Sequence, residues 1–293
     1  MSKESKTKEP KKREAGLMTS AAMQGGGKTR QNMILISGYV KDKIKTRVRG
    51  RKALILDPNG EYTKDELQKA GVHVEVKLLA VRDVYDWVRS DLIEIRRIDM
   101  RSLAPDDMLK ILDYVISVVK DCLLLIEDIN TITLDVTDSE RIVQNLVKLR
   151  HKGVDVLTSY QSLRAVEPRV LSNSRFLRLH FQLGDIDDIK GKLPCDREVF
   201  KIAQILVNTR HYEGDEYFFL YIYTMQGKIK GEFKMEEFLE ACKKFLLIQK
   251  KRINEEMDIT GCSKEVAIKN QSLILYRQFY GNEDKIDVKK LSA

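Results

Sequence analysis

Apolar residues in this chain fall into short unbroken runs, separated by stretches in which they recur every three or four positions. Leu17 to Ala21, Ala53 to Asp57, Val72 to Leu78, Leu92 to Ile98, Cys122 to Ile126, Val154 to Thr158 and Phe176 to Phe181 read as strands. Between them, Lys28 to Ile36, Lys64 to Ala70, Val81 to Arg89, 138–151 and Leu163 to Leu171 read as helices. Another helix starts at Pro105, with Asp106 and Asp107 in its first turn and one apolar face through Met108, Ile111, Leu112, Val115, Ile116 and Val119. In 138–151 the apolar face is Ile142, Val143, Leu146 and Leu149, and Gly153 ends it. Strands alternating with helices in this way predict a mostly parallel sheet covered on both faces, an α/β fold.

Beyond Gly184 the rhythm changes. Glu198 to Asn208 reads as a helix, Tyr217 to Thr224 and Ile229 to Phe233 as a hairpin turned at Gly227, and Met235 to Glu256 and Ser263 to Tyr280 as two long helices. The expected organisation is a basic, disordered arm (1–15), a core (16–233) and a C-terminal helical appendage (234–293). In the arm Lys3, Lys6, Lys8, Lys11, Lys12 and Arg13 outweigh Glu4, Glu9 and Glu14. A second basic stretch runs from Lys41 to Lys52 and reads as a loop, facing DNA or merely solvated.

Composition narrows the partners. The chain has 293 residues, 33% of them charged, and a formal net charge of +8, which favours an anionic partner; nucleic acid is the commonest. Cys122, Cys195, Cys242 and Cys262 are far apart, and so are His73, His151, His180 and His211. Neither a disulfide framework nor a zinc site is suggested, and a reducing cytoplasm fits. No signal peptide is visible, and Asp113, Lys120 and Asp121 interrupt the longest apolar stretch, Ile111 to Ile126, so no membrane span is expected.

The chemistry concentrates at strand ends, where open parallel sheets bind ligands. The first strand runs into Ala22-Met23-Gln24-Gly25-Gly26-Gly27-Lys28-Thr29. Three consecutive glycines free the backbone to curl its N–H groups around an anion. Lys28 reaches the outer phosphates, the Thr29 hydroxyl suits Mg²⁺, and the helix beginning there aims its positive end at the same place. Gln24, Gly25, Gly26, Gly27, Lys28, Thr29 and Arg30 are therefore the candidate nucleotide-binding residues, although Ala22 stands where this motif has its first glycine. The strand at 122–126 ends in Glu127-Asp128, and the next in Ser159-Tyr160-Gln161. Paired acids suit Mg²⁺ and the attacking water, and a polar side chain on the neighbouring strand suits the γ-phosphate.

These segments resemble the HerA/FtsK superfamily of DNA-pumping ATPases, which includes viral and phage genome-packaging ATPases. Besides the glycine loop, the resemblance rests on Leu54-Ile55-Leu56-Asp57-Pro58-Asn59-Gly60-Glu61-Tyr62, on Leu123-Leu124-Leu125-Ile126-Glu127-Asp128, and on Leu149 to Gly153 with Thr158 to Ser162 and Asn173 to Arg175. It covers roughly residues 17–190. It implies a P-loop NTPase core of the RecA-like (ASCE) type, with ATP and Mg²⁺ as cofactors. By position Glu127 serves Mg²⁺ together with Thr29, Asp128 polarises water, Gln161 is the sensor, and Glu61 is a second catalytic or Mg²⁺-associated carboxylate. The acids occur as Glu-Asp where the family has Asp-Glu. The family works as a ring, usually hexameric, around double-stranded DNA, and a neighbour's arginine completes each site; Arg150 and Arg175 are the candidates.

The expectation is an ATP-hydrolysing ring motor that translocates double-stranded DNA, in genome packaging or DNA transfer, working in a host cytoplasm or with a virion. Two alternatives stay open: an ATP-binding assembly or scaffold protein with little turnover, and a P-loop helicase or recombination ATPase.

Overall fold

The computed structural model describes residues 15–23, 25–42, 49–132, 136–189 and 193–282, without the side chains of 136–139. Strand β1 (Leu17–Ala21) leads into helix α1 (Lys28–Val40), then β2 (Ala53–Asp57), α2 (Lys64–Lys69) and β3 (Lys77–Leu78). Next come α3 (Val84–Arg89), β4 (Ile95–Asp99), α4 (Pro105–Val118) and β5 (Leu123–Ile126). After α5 (Ile129–Ile132) and α6 (Val136–Lys148) come β6 (Asp155–Tyr160), α7 (Pro168–Asn173) and β7 (Ser174–Leu179). The chain closes with α8 (Arg197–Tyr212), the hairpin β8 (Leu220–Tyr223) and β9 (Lys228–Gly231), and helices α9 (Met235–Ile248), α10 (Lys250–Thr260) and α11 (Lys264–Phe279).

The strands form one sheet in the order β3-β4-β2-β5-β6-β1-β7-β8-β9. Neighbours are parallel up to β7, and β8 and β9 join antiparallel. The central strands are apolar on both faces because both are covered. Ala53, Ile55, Leu123, Leu125 and Leu157 pack with Met33 and Ile36 of α1. Their alternates Leu54, Leu56, Leu124, Ile126 and Val156 join the larger core, to which α4, α6, α8, α9 and α11 contribute. Buried side chains of α9 and α11, among them Phe238, Phe245, Leu275 and Phe279, belong to that same cluster. No helix among the described residues is long and apolar enough to cross a membrane.

Several boundaries differ from the sequence reading. The stretch from Val72 to Leu78 forms a strand only at Lys77–Leu78, because β3 lies at the sheet edge and pairs only with Arg96 and Arg97. The stretch 235–256 is not one helix: it breaks at Gln249 (φ −94°, ψ 66°) into α9 and α10. The helix expected at 163–171 is a 3-10 turn, Leu163–Ala165, followed by α7 starting at Pro168, whose ring suits a helix start and no helix interior.

The parallel arrangement positions the site. The carboxyl ends of β1, β2, β5, β6 and β7 open on one edge of the sheet, and their amino ends lie on the other.

Candidate active site

The glycine loop sits at the carboxyl end of β1. Gly25 and Gly27 have φ of +81° and +75°, where a side chain is strained. Ala22 is fully buried and does not have positive φ, so alanine is accommodated at that position. Gly27 precedes α1 without any side-chain cap, and the first turn of α1 holds no acid. Lys28, Thr29 and Arg30 occupy that turn instead, putting two cations at the positive end of a helix. The free N–H groups and the unfavourable charge are both relieved by an anion placed there.

Lys28 is buried, and its Nζ lies 2.7 Å from Glu127 Oε1 and 2.6 Å from Asp128 Oδ1. Burial works against its charge, but the two carboxylates outweigh that and hold its pKa above the ordinary lysine value. Strand β5 delivers both acids, because β2 and β6 flank it and fix its end in register. Asp128 has φ +40°, a left-handed conformation that aspartate tolerates better than most residues.

The two acids are held differently. Glu127 is fully buried, and its oxygens accept from Ser159 Oγ (2.8 Å), Asn32 Nδ2 (3.1 Å) and Tyr62 OH (2.5 Å) besides Lys28. Asp128 is also buried, at 4% exposure, but lies nearer the mouth of the site, where Oδ2 accepts from Asn59 Nδ2 (2.8 Å) and from Gln161 Nε2 (3.2 Å). Asn59 and Gln161 are themselves exposed.

The turn after β2 builds the second wall. Asp57 accepts the N–H groups of Glu61 (3.0 Å) and Tyr62 (3.1 Å), which curls the chain through Gly60 at φ +74°. Burial raises the Asp57 pKa, partly opposed by those N–H donors. The turn then aims three side chains into the site: Asn59 at Asp128, Tyr62 at Glu127, and Glu61 at the Thr29 hydroxyl, which donates to it. Burial first, and then the charge of Glu127, raise the pKa of Glu61.

Glu61, Glu127 and Asp128 offer carboxylate oxygens within 4.8 Å of one another. Three acids against one lysine, all with oxygen donors, fit a hard divalent cation such as Mg²⁺. Thr29 adjoins this group through Glu61.

The structure therefore gathers Gly25, Gly26, Gly27, Lys28, Thr29, Glu61, Glu127, Asp128 and Gln161 around one strand-end cleft. Arg30 is exposed on the first turn of α1, and Gln24 lies outside the described residues. Arg150 and Arg175 are not in this cleft. Arg150 precedes β6 and Arg175 lies at the start of β7, so both are on the amino edge of the sheet, at its far end.

Sequence reasoning passed over Arg178 of β7. It is 1% exposed and its guanidinium donates to Ser20 Oγ (3.0 Å) and to Asn32 Oδ1. That bond fixes the Asn32 amide so that its nitrogen faces Glu127 and Tyr62. Burial lowers the Arg178 pKa. Its signal was present: an arginine inside a run otherwise suited to burial. Asn59, Tyr62 and Ser159 lie inside segments singled out in the sequence, though without a role of their own, and Asn32 carried no signal.

A glycine loop between a strand and a helix, a buried lysine, and paired acids two strands away, with a polar strand end between them, define the class: this is an α/β P-loop NTPase fold. Among solved structures, the chain is similar to the genome packaging NTPase B204 from Sulfolobus turreted icosahedral virus 2 in complex with AMP. The identity is 12% over 75% of this chain and 97% of that one, with a TM-score of 0.48. The N-terminal domain of zonular occludens toxin from Neisseria meningitidis is similar at 12% identity over 57% of this chain and 76% of that one, with a TM-score of 0.32. Thermotoga maritima RuvB is similar at 10% identity over 84% of this chain and 69% of that one, with a TM-score of 0.24. No protein-family model matches the chain, and neither does any curated protein.

Proposed function

We propose that the chain is a Mg²⁺-dependent ATPase that works as a homo-oligomeric, hexameric ring and moves double-stranded DNA, in packaging a viral genome or in DNA transfer. The observation that carries the reading is buried Lys28, held between Glu127 and Asp128 at the end of a glycine loop. An ammonium so placed exchanges carboxylates for phosphate oxygens when a triphosphate enters.

Each side chain then has a role. The N–H groups of Gly25 and of Gly27 to Thr29, with the Lys28 ammonium, bind the phosphates, which Arg30 flanks, and the Gly26 N–H, which donates to Met23 O at 3.1 Å, shapes the loop. Asp128, at the mouth beside Gln161, takes the attacking water's hydrogen bond and orients it. Glu127 is held by Ser159, Asn32 and Tyr62, and transfer of Lys28 to a phosphate frees its Oε1 for a cation. Thr29, Glu61 and Glu127 would hold Mg²⁺, which when bound neutralises charge on the phosphate oxygens. Arg150 or Arg175 lies at the far edge of the sheet and can reach a phosphate only on a neighbouring subunit, as a ring allows. The net charge of +8 favours DNA as the track, and the basic stretches 1–14 and 43–48, which lie outside the described residues, are its first candidates for contact. A host cytoplasm or a virion is the corresponding setting.

The test is ATP hydrolysis with and without duplex DNA, with the particle mass in each state. The expected result is turnover raised by duplex DNA, a multi-subunit particle, and loss of turnover in Lys28→Ala. Equal hydrolysis by Lys28→Ala and the parent contradicts the reading. ATP-dependent assembly without DNA-stimulated turnover favours an assembly switch instead.

A further inference from the structure

The candidate catalytic groups fix the direction in which a nucleotide lies. Lys28, Glu127, Asp128 and Gln161 come from the loop and from β5 and β6, so the terminal phosphate faces that side. β1 has β6 on one side and β7 on the other, with β8 beyond. The ribose and base therefore leave the loop toward β7 and β8.

Tyr217 stands on that side, in the segment between α8 and β8. Its ring lies so close to Gly27 that a β-carbon there would come within 2.9 Å of Tyr217 Cδ1. Yet Tyr217 is 55% exposed, so the side chain meets the loop while much of its surface faces solvent. The segment that carries it is anchored. Phe218 is buried beneath Arg210, whose guanidinium lies 5.0 Å from the ring centre, and Arg210 also binds Asp215 at 2.8 Å. Phe219 packs against His180, with ring centres 5.4 Å apart. His180 is buried beside Gly26, and its ring nitrogens have no hydrogen-bond partner among the described residues. Burial, and then the charge of Arg178, push its pKa down to about 3, so its imidazole is uncharged at neutral pH.

A lone exposed aromatic is ordinary. One resting on the last glycine of a phosphate loop, on the side where the base must emerge, is placed for a ligand. We propose that Tyr217 stacks on the base of the bound nucleoside triphosphate; this rests on the phosphate-loop reading above. Stacking uses the π-face that every base has, so the contribution is of similar size for ATP and GTP.

The experiment is calorimetric titration of the full chain with two probes, Mg²⁺ with a non-hydrolysable ATP analogue and Mg²⁺ with inorganic tripolyphosphate. Tyr217→Ala is expected to weaken the nucleotide analogue about 5- to 150-fold, the range of one base stack. Tripolyphosphate binding should stay unchanged, and Tyr217→Phe should bind the analogue as the parent does. Unchanged nucleotide affinity in Tyr217→Ala overturns the proposal, and so does an equal loss for tripolyphosphate, which makes the ring a support for the loop. If the parent binds neither probe, the phosphate-loop reading itself fails.

Discussion

At the amino edge of the sheet, Lys52, Lys152 and Asp155 each meet backbone groups at or near the ends of helices or strands. Lys52 Nζ donates to the carbonyls of Trp87 (2.8 Å), Val88 (3.0 Å) and Ser90 (2.5 Å) at the end of α3, and Lys152 to those of Ile116 (3.1 Å) and Ser117 (2.7 Å) near the end of α4. Asp155 accepts Gly16 N–H (3.0 Å) and Tyr39 OH (2.8 Å). At the carboxyl edge, Glu61, Glu127 and Asp128 crowd against one another around Lys28. The first edge uses charge to finish chain ends, and its groups are matched. The second concentrates negative charge beside helix N–H groups that want an anion, an imbalance that a cation and a phosphate side by side would neutralise. Burial of charge alone does not mark function; unbalanced burial does.

Substitutions at the two edges should separate accordingly. The largest effect is expected at Asp128. Asp128→Asn should lower ATP turnover about 10²- to 10⁴-fold, the range for a positioned general base, while nucleotide titration still shows binding. Turnover near the parent's would transfer that role to Glu127 or Glu61. Next comes Arg178, which acts through Asn32 on Glu127: Arg178→Met should lower turnover about 10- to 100-fold, as loss of an outer partner of a site carboxylate does. Asn32→Leu should do the same by cutting the connection in the middle, with melting curves showing both variants folded.

At the amino edge the expectation reverses. Asp155→Ala should cost about 1–3 kcal/mol of stability in urea unfolding, since Gly16 N–H and Tyr39 OH lose their acceptor, and leave turnover per folded molecule unchanged. A turnover defect there would erase the distinction between the edges. The last effect is confined to acid pH and belongs to His180. Its folded pKa of about 3 lies below the ordinary histidine value of 6.5, so the unfolded chain binds the proton first and stability falls as pH drops from 6.5 toward 3. His180→Phe should flatten that slope by up to about 1.4 kcal/mol per pH unit, read as the difference between the two proteins' unfolding curves. Parallel curves would show that His180 takes up no proton penalty.

The same contrast explains what the sequence disclosed. Lys28, Glu127, Asp128, Gln161 and Glu61 were legible because each lies in a local motif tied to a strand end, and strand ends converge in a parallel sheet. Arg178 was marked only as an arginine in an otherwise apolar run and Asn32 not at all, since neither belongs to a motif and their meeting depends on β7 lying beside β1, a non-local pairing. The alternation of strands and helices gave the layers, yet the break at Gln249 has no glycine or proline to announce it. Val72, Val74 and Val76 alternate as a strand would, but the edge strand pairs only beyond them.

If the proposed function holds, a triphosphate occupies the loop and takes Lys28 from the acids. An experimental structure with Mg²⁺ and a non-hydrolysable ATP analogue tests it directly. Phosphates should be cradled between Gly25 and Thr29, with Lys28 Nζ on phosphate oxygen and no longer paired to both Glu127 and Asp128. A nucleotide bound elsewhere, with that double ion pair intact, would contradict it.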